Sequence, residues 1–389
     1  MPDDISYILN EFAEERENYF NAVSPPIMQT SNFVFNTVDE MRKAFADEYS
    51  TFLYSRGKNP TTEILRKKLA ALDRAEDCLV FNSGAAAIFA AVLANVKTGD
   101  HIVSVDKPYT WAQKMFNDIL PRFGITTTYI DGTRIENFER AILPNTTVIY
   151  LESPNSWDFA IQDLKAVAEL AKAENIVTII DNSYCTPLYQ KPIEMGIDLS
   201  LQTATKYISG HSDTLGGVLS GSKKMMERIF NSEFMTVGSG IQPFNAWLLI
   251  RGLRTLPARL DRITASTKKV VEFLKQHPRV DSLLFPFDET FPQYNLAKKQ
   301  MNGACGLLTF IIKADTITQI EKFCENLQHI FMAVSWGGHE SLIIPKCSGI
   351  QPNEFDATNK EHRMLRLYVG LEEPEYLIKD LEQAFAKIT

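Results

Sequence analysis

Cysteines, basic clusters and long apolar runs are scarce in this sequence, and each scarcity argues against a class of protein. The five cysteines are scattered and lack metal-ligand spacing, so we expect core thiols rather than disulfides or a zinc site. A formal net charge of -8, with no run of lysine or arginine, argues against nucleic acid as a partner. No segment approaches the roughly 18 apolar residues that span a bilayer, and the acidic N-terminus is unlike a signal peptide. We therefore expect a cytoplasmic globular protein that acts on small molecules, without a metal and without membrane contact.

Short apolar segments alternate with helical patterns between about residues 77 and 206. DCLVF, HIVSVD, ITTTYID, TVIYLES and IVTIID are short and apolar enough to be strands covered on both faces, whereas IQDLKAVAELAKAEN repeats its apolar residues at helical spacing. The alternation predicts an α/β fold with a mainly parallel central sheet. A polar, extended arm is expected up to residue 58. The run from 243 to 278 predicts a long helix or helix pair that leads to a smaller α/β unit at the C-terminus.

One lysine stands in an unusual setting. Lys206 follows the apolar and hydroxyl run LSLQTAT, which predicts a strand entering a core, and precedes YISGHSD. Burial would lower the pKa of its amine and raise its nucleophilicity. From these residues alone, a lysine whose stem lies along a strand end while its charge reaches water is an equally good interpretation.

Other polar residues fall at the ends of neighbouring predicted strands. Asp181 ends VTIID, where a buried carboxylate needs a cationic partner, although an aspartate in a turn is also common there. NSGAA, residues 82–86, opens a helix whose first N–H groups suit a phosphate, or it is an ordinary helix cap. Tyr109 lies at another strand-to-helix junction and could cover a flat ligand or simply pack. Because ligands bind at the carboxyl ends of parallel strands, a reactive lysine, a carboxylate, an aromatic ring and a phosphate cradle together favour a site for pyridoxal 5'-phosphate (PLP).

These segments resemble, in the same order, the cysteine and methionine metabolism family of PLP-dependent enzymes, which includes cystathionine β-lyase, cystathionine γ-synthase and methionine γ-lyase. The resemblance covers nearly the whole chain and is most specific in TKYISGHSD. Its other segments are YSRGKNPTTEILRKKLAAL, NSGAAA, GDHIVSVDKPY, ESP, IIDNSYCTPLYQKP, RGLRTL, SWGGHESL and LRLYVGLE.

The resemblance implies a role for each candidate residue. Lys206 would be the Schiff-base lysine, Asp181 would face the pyridine nitrogen, and Tyr109 would stack on the ring. Phosphate contacts would come from Ser83, Gly84, Ala85, Thr203 and Thr205, with Tyr54 and Arg56 reaching in from a neighbouring subunit. The substrate-binding residues would be Ser335, Trp336 and Arg366, with Arg366 holding the substrate carboxylate.

The resemblance also implies an architecture. It is that of a PLP-dependent transferase of the aspartate aminotransferase-like fold, fold type I. Residues 1–58 would form an arm that contacts a neighbouring subunit, 59–257 the PLP-binding domain and 258–389 the C-terminal domain. The assembly would be a homotetramer, a dimer of dimers, with active sites shared between two subunits.

Several departures from the family pattern bear on the reaction. Ser335-Trp336-Gly337-Gly338 is similar to bacterial cystathionine β-lyases and favours β-elimination, although Trp336 could be a packing residue. ESPNSWDF lacks the Asn-Pro pair usual in γ-acting members, and Trp111 stands where many methionine γ-lyases have cysteine. We therefore expect a carbon-sulfur lyase of the trans-sulfuration type that acts on cystathionine or a related amino acid. The alternatives are a γ-replacement transferase of methionine biosynthesis, a methionine γ-lyase, ranked lower, and a catalytically silent scaffold.

Overall fold

The computed structural model describes residues 2–388 and contains two compact units. Unit 1 comprises the residues up to 154, 160–209 and 213–254, and unit 2 comprises 155–159, 210–212 and the residues from 255 onward. Two short segments in the middle of the chain therefore belong to unit 2. Each unit is built around one sheet.

Unit 1 contains a seven-stranded sheet in the order β1-β7-β6-β5-β4-β2-β3. Only β7 runs antiparallel to its neighbours, so the sheet is mainly parallel, as predicted. Its strands are β1 (Asp77–Phe81), β2 (His101–Val105), β3 (Thr126–Ile130), β4 (Thr146–Glu152), β5 (Val177–Asp181), β6 (Leu199–Thr203) and β7 (Gly217–Gly221).

The helices of unit 1 separate these strands and cover the sheet. They are α1 (Ile5–Asn10), α2 (Val38–Ala46), α3 (Pro60–Asp73), α4 (Gly84–Leu93), α5 (Thr110–Lys114), α6 (Ile135–Ala141), α7 (Leu164–Ala173), α8 (Thr186–Tyr189), α9 (Lys223–Ile229), α10 (Met235–Val237) and α11 (Pro243–Arg254). Two apolar clusters, one including Ile88 and Tyr150 and the other including Ile149 and Val167, are fully packed against the sheet. Since neighbouring strand residues point to opposite faces, Ile149 and Tyr150 place one cluster on each face.

One strand departs from the sequence expectation. ITTTYID does form β3, but the prediction that it is covered on both faces is wrong, because every residue of β3 is exposed or half-buried. The physical reason is its place at the edge of the sheet, where β3 pairs only with β2. Its run of threonines suits such a half-solvated edge.

Unit 2 contains a five-stranded sheet in the order β10-β11-β12-β9-β8, in which only β10 and β11 are parallel. Its strands are β8 (Val280–Leu284), β9 (Leu307–Ile312), β10 (Phe331–Met332), β11 (Leu342–Pro345) and β12 (Met364–Tyr368). Its helices are α12 (Leu256–Gln276), α13 (Tyr294–Gln300), α14 (Ile317–Glu325) and α15 (Pro374–Phe385). The predicted helix pair is confirmed as α11 and α12, and the predicted α/β unit at the C-terminus as this second sheet with its helices.

The N-terminal segment is not uniformly extended, and that prediction is wrong. It contains α1 and α2, because Asp4 and Thr37 accept backbone N–H groups of the first turns and so cap the two helices. Beyond α1, the buried carboxylate of Glu14 lies 3.1 Å from the ammonium of Lys68 and 3.0 Å from the guanidinium of Arg254. This buried charge cluster fixes the start of the chain to α3 and α11 of its own unit.

The five cysteines are buried, as the prediction of core thiols requires. Within residues 2–388, no helix is both long and apolar enough to cross a membrane.

Candidate active site

Acidic side chains end two adjacent strands of unit 1. Glu152 is the last residue of β4 and Asp181 the last of β5, and the two are paired across the parallel ladder. Their carboxyl ends lie at the same edge as the end of β6, which is followed by the turn that carries Lys206. This edge is where ligands bind in open α/β sheets. The structure thus brings Asp181 and Lys206 to one edge of one sheet.

Asp181 is more buried than Lys206, with 8% of its surface exposed. Its Oδ1 accepts the backbone N–H of Ser183 at 2.9 Å, and the hydroxyl of Ser183 accepts the N–H of Thr203 at 2.8 Å. Burial raises the pKa of the Asp181 carboxyl, while the hydrogen bonds from Ser183 and the charge of Lys206 lower it. A hydrogen-bonding cation beside Asp181 would therefore stabilise its ionised form. Lys206 is half-buried, and the fall in its pKa expected from the sequence stays a prediction.

Tyr109 directly precedes α5, and a hydrogen bond from its backbone N–H fixes its position. Its N–H donates to Oε2 of Glu152 at 2.6 Å, which ties the loop after β2 to the end of β4. Burial raises the pKa of the Tyr109 phenol, and the charges of Asp181 and Glu152 raise it further. The ring therefore lies within electrostatic range of the two acids, and 40% of the residue remains exposed. Such a partly exposed ring can cover a flat ligand at this edge.

The predicted phosphate cradle forms at the start of α4. Ser83 caps the helix by accepting the N–H of Ala86 at 3.2 Å, while the N–H groups of Gly84 and Ala85 have no acceptor within the helix. The hydroxyls of Thr203 and Thr205 both donate to the carbonyl of Gly216, at 3.2 and 3.4 Å. A Cβ on Gly84 would lie 2.7 Å from Cβ of Thr203, so only glycine permits this approach.

This donor set fits PLP. The N–H groups of Gly84 and Ala85 at the N-terminus of α4 suit a phosphate dianion. The hydroxyls of Thr203 and Thr205 would have to turn from the Gly216 carbonyl to donate to it as well. A buried carboxylate suits a protonated pyridine nitrogen, which would add a hydrogen-bonded positive partner to the charge of Lys206. The amine of Lys206 is the nucleophile that an aldehyde requires. All of these groups belong to unit 1.

Tyr54 and Arg56 stand apart from this group. The guanidinium of Arg56 lies 5.4 Å from the ring centroid of Tyr54, and a Cβ on Gly240 would meet the Arg56 carbonyl at 2.8 Å. Within residues 2–388, no hydrogen bond or ion pair joins either side chain to Ser83, Thr203 or Lys206. Their assignment to the cofactor of a neighbouring subunit stays a prediction.

The predicted substrate residues lie in unit 2. Arg366, in the middle of β12, is only 6% exposed, and its Nη1 donates to the carbonyl of Ser156 at 3.2 Å. The centroids of two indole rings, Trp157 and Trp336, lie 4.9 and 5.0 Å from its Cζ, within cation–π range. Ser335 has a φ of 104°, a conformation that residues with a side chain rarely adopt and that is often retained at functional sites.

The sequence did not identify three residues that contact the candidate site residues, namely Glu152, Ser183 and Trp157. Glu152 carried the same signal as Asp181, an acid at the end of an apolar strand, and could have been found by it. Ser183 and Trp157 gave no such signal, because the contacts that matter involve residues distant in sequence, Thr203 and Arg366.

Comparison with known proteins identifies the family. The family model described as Cys/Met metabolism PLP-dependent enzyme matches residues 8–386. An L-methionine gamma-lyase of Treponema denticola is 36% identical over 379 residues, which is 96% of this chain and 94% of the relative. A cystathionine gamma-lyase of Bacillus subtilis is 34% identical over 378 residues, 94% of this chain and 95% of the relative.

Among solved structures, a cystathionine gamma-lyase from Lactobacillus plantarum, determined in complex with L-serine, superposes with a TM-score of 0.90. It is 31% identical and the match covers 99% of both chains. The predicted fold type I architecture is thereby confirmed. The chain belongs to the Cys/Met metabolism family of PLP-dependent enzymes, and pyridoxal 5'-phosphate is its cofactor.

Proposed function

We propose that this chain is a PLP-dependent carbon-sulfur lyase that eliminates a thiol from a sulfur amino acid. The observation that carries the proposal is the convergence of Asp181, Lys206 and the α4 cradle at one edge of the unit 1 sheet. The names of the relatives, methionine and cystathionine gamma-lyases, support the same reaction class.

Each residue then has a defined task. The bound cofactor supplies an electron sink for the pair released from the substrate Cα–H bond. Nζ of Lys206 takes the Cα proton, and the Asp181 carboxylate holds a proton at the ring nitrogen. Tyr109 covers the ring, while Ser83, Gly84, Ala85, Thr203 and Thr205 bind the phosphate.

Arg366 would orient the substrate. Its planar guanidinium can donate two parallel hydrogen bonds to a carboxylate, which fixes the Cα–H bond for removal. The low exposure of Arg366 supports this task, because a charge-assisted hydrogen bond is stronger where water is excluded. Ser335 and Trp336 are assigned to the same substrate carboxylate and its surroundings.

The position of the bond that breaks is a finer question. The names of the relatives favour γ-elimination. The sequence ranked a methionine γ-lyase activity below the other candidates, and the names of the relatives do not support that ranking. β-Elimination of cystathionine, which the sequence favoured, becomes the second candidate, and it is kept because the indole of Trp336 contacts the Arg366 guanidinium. A γ-replacement transferase has no comparable observation in its favour.

Product identification separates these reactions. Purified holoenzyme would be given cystathionine, methionine, cysteine and an O-acylhomoserine, each with and without an added thiol. γ-Elimination of cystathionine yields cysteine, ammonia and 2-oxobutyrate, whereas β-elimination yields homocysteine, ammonia and pyruvate. We expect a 2-oxo acid and ammonia without any thiol acceptor. Turnover only of the homoserine ester, and only with a thiol, would replace the lyase by a transferase.

A further inference from the structure

Trp157 occupies an unexpected place in the fold. It lies in the segment 155–159, which interrupts unit 1 in the sequence but belongs to unit 2. Its indole centroid is 4.9 Å from Cζ of Arg366, so the guanidinium has a second aromatic neighbour besides Trp336. A cation this close to an indole is attracted by the negative face of the ring.

The sheet of unit 2 fixes the backbone of Trp157. Thr309 of β9 is the cross-strand partner of Arg366 of β12, and residues paired in this way point to the same face. The Thr309 hydroxyl donates to the carbonyl of Trp157 at 2.7 Å, while Nη1 of Arg366 donates to the preceding carbonyl, that of Ser156, at 3.2 Å. Two neighbouring residues of the sheet therefore hold two consecutive carbonyls.

The amide on the other side of Trp157 is also fixed. Its N–H donates to Oδ1 of Asn155 at 2.8 Å. The indole is thus carried by a peptide segment that is hydrogen-bonded on both sides, to Asn155 and to Thr309.

We propose that Trp157 is a positioning residue that holds the Arg366 guanidinium ready to bind the substrate carboxylate. The inference rests on the proposed function, in which Arg366 binds that carboxylate. An aromatic ring beside the guanidinium restricts its rotation and displaces water, so less ordering is required when a carboxylate arrives. Trp157 acts through Arg366 and takes no part in proton transfer at Lys206.

A positioning role for Trp157 predicts that its loss changes ligand affinity and not the turnover number. Loss of the indole should weaken every ligand that carries an α-carboxylate and leave ligands without one unaffected. A residue that only stabilises unit 2 would affect both kinds of ligand, or neither. Norleucine, in which a methylene replaces the sulfur of methionine, and pentylamine, which is norleucine without its carboxylate, are a matched pair of probes.

The experiment is calorimetric titration of holoenzyme variants with these two probes. Trp157→Leu should weaken norleucine binding about tenfold, whereas Trp157→Phe, which keeps an aromatic face, should stay within about threefold of the parent. Pentylamine affinity should be the same in all variants. With a cleaved substrate, Trp157→Leu should raise KM by a similar factor and leave kcat within about twofold.

Thr309 supplies a second test that leaves the indole in place. Thr309→Val removes the hydroxyl that holds the Trp157 carbonyl and should weaken norleucine binding about threefold, while Thr309→Ser, which retains the donor, should match the parent. This pair decides the matter if Trp157→Leu does not fold.

The outcomes distinguish the inference from the function on which it rests. If Arg366→Lys weakens norleucine binding but the Trp157 and Thr309 variants do not, the positioning role of Trp157 is wrong and the function stands. If Arg366→Lys itself leaves norleucine binding unchanged, Arg366 does not bind the carboxylate. Equal weakening of norleucine and pentylamine in Trp157→Leu would reduce Trp157 to a structural residue.

Discussion

Two buried charges of this protein, Asp181 in unit 1 and Arg366 in unit 2, are held in different ways. In unit 1, Asp181 lies at the end of a strand, where backbone N–H groups and hydroxyls are available to the carboxylate. In unit 2, Arg366 lies in the middle of a strand, between Ile344 and Thr309 on the neighbouring strands, and has two indoles beside it. One charge is stabilised by hydrogen-bond donors and the other by aromatic rings and a carbonyl.

The difference suits the task proposed for each group. Hydrogen bonds from Ser183 oppose the rise in pKa that burial imposes on Asp181, so its protonation state responds to a positive partner. A guanidinium stays charged at ordinary pH, so its neighbours act on its orientation rather than on its protonation. We therefore expect substitution of Asp181 to change turnover and substitution of Arg366 to change substrate affinity.

The largest effect is expected at Asp181. Asp181→Asn removes the charge that holds the ring-nitrogen proton, and kcat should fall about 10²–10³-fold at saturating PLP. Asp73→Asn is a matched control, since Asp73 is also a buried carboxylate of unit 1, bonded to Gln202 and Ser220. It should retain kcat. Near-normal turnover in Asp181→Asn would make Asp181 a turn residue.

A smaller effect, on KM rather than kcat, is expected at Arg366. Arg366→Lys keeps the charge but loses the planar fork, so KM for amino-acid substrates should rise about 10- to 100-fold. The PLP dissociation constant and the absorption spectrum of the holoenzyme should not change. An altered spectrum with an unaltered KM would remove Arg366 from the substrate site and would break the division between the two units.

The smallest expected effect is a partial recovery of enzyme activity when two inactive variants are co-expressed. Lys206→Ala and Arg56→Ala should each be nearly inactive alone if each active site combines Lys206 of one chain with Arg56 of another. In co-expressed variants half of the dimers are mixed and half of their sites intact, so activity should recover to about a quarter of the parent at limiting PLP. Mixed dimers that form but stay inactive would show that Arg56 serves its own subunit.

Strand ends were easier to predict from the sequence than strand interiors. A polar residue after an apolar run, as at Asp181, Ser83 and Lys206, marks the edge of a parallel sheet, and the structure brings these residues to that edge. Arg366 was identified only through the family resemblance, because the segment LRLYV that contains it has the pattern of an ordinary alternating strand. Trp157 was not predicted because its importance depends on the pairing of β9 with β12, residues more than 50 positions apart in the sequence.

Contacts between residues distant in sequence, and single capping residues, also explain why three features of the fold were not predicted. Helices α1 and α2 depend on capping by single residues, Asp4 and Thr37, in segments with little apolar periodicity. The exposure of β3 depends on strand order, which local periodicity does not determine. β7 begins and ends with glycine and was not recognised as a strand.

Borohydride reduction of the holoenzyme, followed by peptide mapping, tests the central claim most directly, because the whole account depends on Lys206 as the amine that bonds to the cofactor. The reduced pyridoxyl mass should lie on Lys206, in the peptide that contains TATKYISGHSD, and should be absent from that position in Lys206→Arg. Label on a different lysine of the parent protein would contradict the assignment of Lys206 and, with it, the active site described at the carboxyl edge of the unit 1 sheet.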